Sequence, residues 1–391
     1  MFLRTLKHKA FIAFAGFMIK FAPGTTYMLF AGQGSSRQLC RHIGREGLKK
    51  VLVVTDKPLV ELGIAARATA ALPESGVQVV TYDGVLPDPT YQIVAEGKAM
   101  YEREQCDAIL AIGGGSSIDA AKVMGLALTH EGDPQDYVGF GLVKEPLPPL
   151  YVIPTTSGTG SEATSGAVIS DNETHEKGVI SGGPMQPLAT CLDPDLMTGM
   201  PPHITAATGM DALTHAVEAY IGVWERGDRT ERASAAVKLI FANLEKACGD
   251  GNDIDARDSM AHAAYMAGQA INLVNVGNVH AIAHQLGAFY GVPHGMANAM
   301  VMPHVLDKSR NAAADRLAEL AKLIGRNTAD EFIAAVRALN TAVGIPEKLD
   351  KLQPADYPAI IARATAEADG YPVPYMLTDG DVEDILKELQ A

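Results

Sequence analysis

The sequence predicts an α/β protein in two parts, a doubly wound parallel-sheet domain over residues 1–201 and an all-α domain over residues 202–391. Three observations predict it. From Lys50 to about Leu192, short β-branched runs alternate with helical ones, which implies parallel strands joined by helical crossovers on both faces of a sheet. Beyond Pro201 and Pro202 the alternation stops, and long Ala-rich stretches with helical spacing replace it. The length of 391 residues exceeds that of a usual single domain, so two are expected.

The elements follow in order. Lys7, Lys9 and FIAFAGFMIKFA imitate a signal peptide, but Lys20 interrupts the apolar run well short of the roughly 20 residues that span a membrane, and no clean cleavage site follows. A β-strand or a subunit-contact segment is the preferred reading there. Val51 to Asp56 reads as a buried strand, Leu59 to Leu72 as a helix, Val77 to Tyr82 as a strand and Tyr91 to Gln105 as a helix. Ala108 to Ile112 is then a strand and Ser117 to Thr129 a helix. In the second part, Ala206 to Ile221, Arg232 to Ala247, Ser259 to Leu273 and Val279 to Ala288 carry helical spacing, and further helices continue to Leu389.

Composition narrows the function. An apolar fraction of 47%, a charged fraction of 20% and 38 glycines spread along the chain describe an ordered globular protein. The net charge of -14, with no basic stripe, excludes nucleic acid as a partner. Cys40, Cys106, Cys191 and Cys248 form no CxxC pair, which argues against a disulfide framework or thiolate metal knot and favours a reducing cytoplasm.

Two constellations carry chemistry. In AILAI-GGG-SSIDAAK a strand runs through Gly113, Gly114 and Gly115 into a helix beginning near Ser116, so free N–H groups and the helix dipole face the loop, where a diphosphate fits. Ser116 or Ser117 can cap that helix, and Asp119 lies in its first turn. The plainer reading is a tight strand-to-helix turn. Asp56 closes the first strand, where an acid accepts from ribose hydroxyls and repels a 2'-phosphate, favouring NAD over NADP; its alternative is a helix N-cap. Asp88 is either a ligand-facing acid or a turn residue between Pro87 and Pro89, and Thr155, Thr156, Thr159 and Ser161 form either a hydroxyl-lined ligand loop or a solvated turn.

The second constellation is Asp211 and His215 in DALTHAVEAY, His280 and His284 in HAIAH, and His294 after Pro293. Each i, i+4 pair lies on one helix face about 6 Å apart, close enough to share an ion. A carboxylate with imidazoles suits a borderline ion such as Fe(II) or Zn(II). Five candidates exceed four ligands by one, and spacing does not say whether His280 or His284 is the spare. His262 and His304, without partners at helical spacing, read as half-buried core residues.

GGGSSIDAAK, PTTSGTGSE, DALTHAVEAY and GNVHAIAHQLGAFYGVPHG, in that order, resemble the group III or iron-dependent alcohol dehydrogenase family, with its lactaldehyde reductase and propanediol dehydrogenase members. The resemblance runs from VLVVTD to the C-terminal helices. It implies a Rossmann-like NAD(P)-binding domain, an all-α metal domain as in the dehydroquinate synthase-like fold, and an active site in the cleft between them. By matching position it implies Asp211, His215, His280 and His294 as ligands of Fe(II), or of Zn(II) as in some members, and His284 as a catalytic non-ligand near the nicotinamide. It places the phosphate turn on Gly113 to Ser116, the ribose acid on Asp56, the threonine loop on Thr155, Thr156 and Thr159, and a cofactor-side lysine on Lys177. Asp88, Asp119, Ser161 and Leu192 complete the expected cofactor-binding set. A homodimer paired through N-terminal strands is common in the family. Gln285 departs from a proline frequent in relatives, VWERGDRTERASA replaces a more polar stretch beside Trp224, and the extension through about Gly24 is longer and more apolar than usual.

The expected activity is hydride transfer between a primary alcohol or diol and NAD, with the metal polarising the alcohol or carbonyl oxygen and His284 relaying the proton. Alternatives on the same architecture are a glycerol dehydrogenase or a dehydroquinate-synthase-like lyase. A metal hydrolase or non-haem iron oxygenase leaves the glycine turn unexplained.

Overall fold

The computed structural model describes residues 2–19, 28–173, 177–224 and 228–391. Helix α1 (Phe2–Ile19) corrects the strand expected at the N-terminus. Its residues include no proline, Gly16 is the only glycine, and Ala, Leu and Lys are strong helix formers. One turn apart, His8 and Ile12 are buried, while Leu6, Phe11, Phe14 and Phe17 stay exposed. Lys20 and the rest of that apolar run lie outside the described residues. No described helix is long and apolar enough to cross a membrane.

The chain divides into two compact units, one spanning Thr25–Gly199 and the other combining Met200–Ala391 with the N-terminal segment. The expected division at residues 201 and 202 differs in that segment: α1 packs with the helical unit and not with the sheet.

The first unit runs β1 (Met28–Ala31), α2 (Ser35–Arg45), β2 (Lys50–Val54), α3 (Lys57–Glu61), α4 (Ile64–Thr69), α5 (Ala71–Glu74), β3 (Gln78–Tyr82), α6 (Tyr91–Glu104), β4 (Ala108–Gly113), α7 (Gly115–Thr129), β5 (Gly139–Phe140), β6 (Leu150–Pro154), β7 (Gly166–Ser170), β8 (Lys177–Ser181) and β9 (Ala189–Leu192). The helix expected from Leu59 to Leu72 is broken into α3, α4 and α5; Gly63, in the left-handed region at φ 70°, separates α3 from α4. Six strands form one parallel sheet in the order β1-β9-β6-β4-β2-β3. Their period of two sorts the side chains onto two faces. Leu52, Val54, Ile109, Ala111 and Val152 join one core with α6 and α7, and Val51, Val53, Leu110, Ile112 and Ile153 join the other with α2, α4 and α5. A small sheet of β5, β8 and β7, not foreseen, adds Lys177 on β8.

The connection out to β3 and back to β4 on the other side of β2 makes a topological switch point between β2 and β4. Ligands of such sheets bind beyond the carboxyl ends of those strands, which here lead into Thr55–Asp56 and Gly113–Gly115.

The second unit contains α8 (Pro202–Ile221), α9 (Asp228–Gly249), α10 (Ile254–Val274), α11 (Asn278–Tyr290), α12 (His294–Ser309), α13 (Ala314–Leu323), α14 (Ala329–Ala342), α15 (Tyr357–Ala368) and α16 (Asp379–Leu389). α8 is buried nearly all round, between α9, α10 and α12. Small residues allow the close approach: a side chain on Gly209 would strike Leu244 and Met260. Arg257, only 1% exposed, pins the start of α8 by donating to the Thr205 hydroxyl at 2.8 Å and the Met200 carbonyl at 3.1 Å.

In the first unit Lys122 plays the comparable part. Fully buried on α7, its ammonium donates to the carbonyls of Ser161 at 2.7 Å, Thr164 at 2.8 Å and Gly166 at 2.7 Å, fixing the loop that returns from β6. Asp119 and Glu162 supply the opposing charge. Lys122→Met strands those acceptors and leaves buried acids without their cation, so it should lower stability by about 3–5 kcal/mol. Urea unfolding followed by circular dichroism measures this; an unchanged midpoint contradicts the clamp.

Candidate functional site

Asp211 and His215 sit on the buried face of α8, four residues apart as the spacing requires. His280 lies in the first turn of α11, whose N-cap is Gly277. His294 is the first residue of α12, behind the N-cap Pro293. A side chain on Gly295 would collide with the Ala207 carbonyl, so the glycine lets the start of α12 reach α8.

One ligand atom from each of Asp211, His215, His280 and His294 lies within 4.8 Å of the others. Asp211 Oδ1 is 4.0 Å from His215 Nε2, 3.9 Å from His280 Nε2 and 3.5 Å from His294 Nε2. These separations are too long for hydrogen bonds. They match the edges of a coordination polyhedron, since metal bonds of about 2.0–2.2 Å place ligand atoms roughly 3.4 Å apart at tetrahedral angles. The side chain of His294 is 34% exposed against 2% for Asp211 and His280, so the cluster is accessible on the His294 side.

The second layer fits the same ion. Glu218, seven residues after Asp211 on α8, accepts from His280 Nδ1 at 2.6 Å, from the Gly277 N–H at 2.7 Å and from the Val279 N–H at 2.6 Å. That contact fixes the tautomer and turns the Nε2 lone pair toward Asp211. The Asn298 amide nitrogen lies 2.7 Å from Asp211 Oδ1, 3.1 Å from His280 Nε2 and 3.2 Å from His294 Nε2. Two amide hydrogens cannot satisfy three acceptors. A cation meets this surplus of lone pairs.

Burial raises the Asp211 carboxyl, but the positive charge that His215, His294 and His280 can carry beside it, with the Asn298 hydrogen bond, outweighs burial and holds it below the usual range. Burial keeps His280 well below its ordinary value and lowers His294 too, so both offer neutral imidazoles. Burial lifts Glu218 to about 7 against the two N–H donors that stabilise its anion.

His284 stands outside the four. Its ring stacks on His294, centroids 5.2 Å apart and planes 20° from parallel, while Nδ1 is held by Glu367 Oε1 at 2.6 Å. The same carboxylate accepts from the Tyr371 hydroxyl at 2.7 Å and the Gln285 amide at 3.0 Å.

In the first unit, Gly113 adopts φ 152°, where an added side chain would strike Ser117. A side chain on Gly114 would meet Thr156 at 3.2 Å, and one on Gly115 would meet Thr159 at 2.7 Å, so the glycine turn and the threonine loop lie against each other. α7 begins at Gly115 with Gly114 as N-cap and no side-chain cap; Ser116 and Ser117 do not cap it, and its first N–H groups are left for an anion. Asp56 caps α3 through the Leu59 N–H at 2.9 Å, using one carboxylate oxygen. Lys177 pairs with Asp88 at 2.5 Å, and Asp88 holds the left-handed conformation at φ 54°. Asp119 is taken up by the Ser161 hydroxyl and by the Val168 N–H at 2.9 Å, a bracing role. Leu192 has its side chain buried, and its carbonyl accepts from Gly32 at 3.0 Å.

Sequence reasoning missed Glu218, Asn298, Lys122, Glu367 and Tyr371. Glu218 and Asn298 carried a signal, at seven residues after Asp211 and four after His294, one helix face in each case. Glu367 lies 83 residues from His284 and had none. Trp224 donates its indole N–H to the Ile12 carbonyl at 2.9 Å, holding α1.

Comparison with known proteins covers both units. The family model "Iron-containing alcohol dehydrogenase" matches residues 27–194, and "Fe-containing alcohol dehydrogenase family, C-terminal" matches residues 205–390. A 1,3-propanediol dehydrogenase of Klebsiella pneumoniae is 40% identical over 354 residues, 88% of this chain and 92% of that protein. The crystal structure of a 1,3-propanediol oxidoreductase superposes with a TM-score of 0.90 at 38% identity, covering 94% of this chain and 100% of the other. A sulfoacetaldehyde reductase from Bifidobacterium kashiwanohense, solved with NAD+, gives a TM-score of 0.87 at 26% identity over 95% of this chain and 98% of its own.

Glu218→Ala should weaken metal binding about 10–100-fold by freeing His280 to rotate and change tautomer. Competition with a chelator measures it, and an unchanged affinity would remove Glu218 from the site.

Proposed function

The chain belongs to the iron-containing alcohol dehydrogenase family, and we propose that it interconverts a primary alcohol or short diol with its aldehyde, using NAD and an ion held by Asp211, His215, His280 and His294. The observation that carries the reading is the convergence of one carboxylate and three imidazoles on a single point of the helical unit. An NAD+-bound relative and the propanediol relatives support the cofactor and the substrate class.

The bound ion supplies Lewis acidity at the substrate oxygen, and NAD supplies the hydride acceptor. The protein does the rest. Asp211 neutralises part of the ion's charge, and three neutral imidazoles leave it electrophilic. The start of α7 at Gly115, which no side chain caps, would offer N–H groups to the diphosphate, with Thr155, Thr156 and Thr159 as hydroxyl donors beside it. Asp56 keeps one oxygen outside its cap for ribose hydroxyls, which favours NAD over NADP. Ser116, Asp88, Lys177 and Leu192 complete the proposed cofactor surface. Asp119 and Ser161, bonded to each other, hold its shape.

His284 is the proposed proton relay. Its Nδ1–H is committed to Glu367, so Nε2 takes the proton from the alcohol and returns it to the nascent alkoxide in the reverse direction. A cytoplasmic homodimer fits the remaining features. Among the described residues β1 is an edge strand of the sheet, paired with β9, with Met28 and Leu29 exposed, an edge that suits a second copy. Three of the four cysteines are buried free thiols, as a reducing compartment permits.

An anaerobic assay of Fe(II)- or Zn(II)-reconstituted protein, following NADH absorbance across an alcohol and aldehyde panel, tests the activity. No turnover with either metal would sink it. His284→Ala should lower kcat by about 100-fold or more with metal content unchanged; an unaltered rate and pH profile would remove the relay. Gly115→Val should drive a side chain into Thr159 and raise KM for NAD while the metal stays bound, read by steady-state kinetics and metal analysis.

A further inference from the structure

Residues 1–26 precede both matched family regions, yet α1 is docked on the helical unit at one particular place. Arg4 Nε donates to both carboxylate oxygens of Asp369, at 2.8 and 2.9 Å, and its terminal nitrogen donates to the Thr365 carbonyl at 2.6 Å. His8 Nδ1 meets the Asp369 carbonyl at 3.0 Å. Farther along α1, Trp224 bonds the Ile12 carbonyl and lies against Gly16, where a side chain would come within 3.1 Å of the indole.

Thr365 is in the last turn of α15 and Asp369 is its C-cap. Carbonyls of a last turn lack intrahelical partners and sit at the negative end of the helix dipole. A guanidinium bonded there both satisfies the Thr365 carbonyl and opposes fraying of the turn. Between the two anchored residues stands Glu367, the carboxylate that holds His284. It gathers three donors, from His284, Tyr371 and Gln285. Burial, then the neighbouring Glu367, raises the Tyr371 phenol well above its ordinary range, so it remains a donor. The Gln285 amide adds its bond to the other carboxylate oxygen at 3.0 Å.

We propose that the N-terminal helix braces His284 through Glu367: α1 fixes the last turn of α15, that turn fixes the Glu367 carboxylate, and the carboxylate fixes the ring orientation and Nδ1–H tautomer of His284. Glu367 is a positioning residue, since it touches the relay and not the substrate. The proposal rests on the reading of His284 as the relay for its catalytic consequence; its structural content stands apart from that reading.

The test uses Zn(II)-loaded full-length enzyme with 15N-histidine, so that the His284 tautomer is read by NMR alongside kcat and KM. The His284 resonances are identified by their loss in His284→Ala. The wild type should show the Nδ1–H form. Glu367→Ala should move His284 toward the Nε2–H form and lower kcat about 10–100-fold, with KM for NAD and zinc content unchanged, the loss expected of a misplaced relay. Arg4→Ala, a surface change that leaves the core intact, should shift tautomer and kcat the same way by roughly 2–5-fold, and Lys7→Ala, exposed on the same helix, should change neither. A wild-type tautomer in Glu367→Ala, or wild-type readings for both quantities in Arg4→Ala, overturns the brace. If instead His284→Ala turns over normally while the tautomer still shifts in Glu367→Ala and Arg4→Ala, the relay reading fails and the brace survives.

Discussion

The helical unit is organised around a buried negative charge that no lysine or arginine among the described residues is shown to pair with. Asp211 is 2% exposed, and its neighbours His215, His280 and His294 give it imidazole lone pairs in place of ammonium or guanidinium groups. An isolated carboxylate in such surroundings costs several kcal/mol unless a cation is supplied. A divalent ion is the group that satisfies the carboxylate and the three imidazoles together. The packing around it follows from that need. α8 is buried almost all round because both its ligands must face inward, and Gly295 and Gly277 remove side chains where α12 and Glu218 approach the cluster.

Two histidines one turn apart on α11 show how the same device gives different chemistry. His280 and His284 each have Nδ1 held by a glutamate at 2.6 Å, which leaves Nε2 as the reactive atom. The first pair is dry, with side chains 2% and 4% exposed, and the lone pair has no use but coordination. The second pair is 27% and 26% exposed, as the proposed relay role requires. Burial and partner placement divide the roles; residue type does not.

The parts of this design that repeat along the chain were legible in the sequence. Strand and helix alternation gave the parallel sheet because each element carries its own period, and DALTH and HAIAH gave their pairs because four residues return a helix to the same face. The glycine turn was legible as a turn, but not its cap: Ser116 and Ser117 looked like caps, and the backbone leaves Gly114 in that place. The long α3 to α5 helix failed in part at Gly63, whose left-handed backbone separates α3 from α4. Glu367, Lys122 and Arg4 act through contacts 39 to 365 residues away in sequence, and no local pattern announces such a partner.

The apolar N-terminus was the hardest stretch to read, since the same residues suit a strand, a signal or a helix. What decides it is tertiary. Most of a helix's stability in a protein comes from the packing of one face, more than from propensity. α1 is stabilised by what it docks against: a helix C-terminus needing a cation at Arg4, a tryptophan needing an acceptor at Ile12, and a flat surface at Gly16 that accommodates the indole. Those three needs belong to α15 and to the turn after α8, the elements that carry Glu367 and follow the first metal pair. The helix therefore forms where these contacts meet it, on the last turn of α15 and on Trp224 after α8.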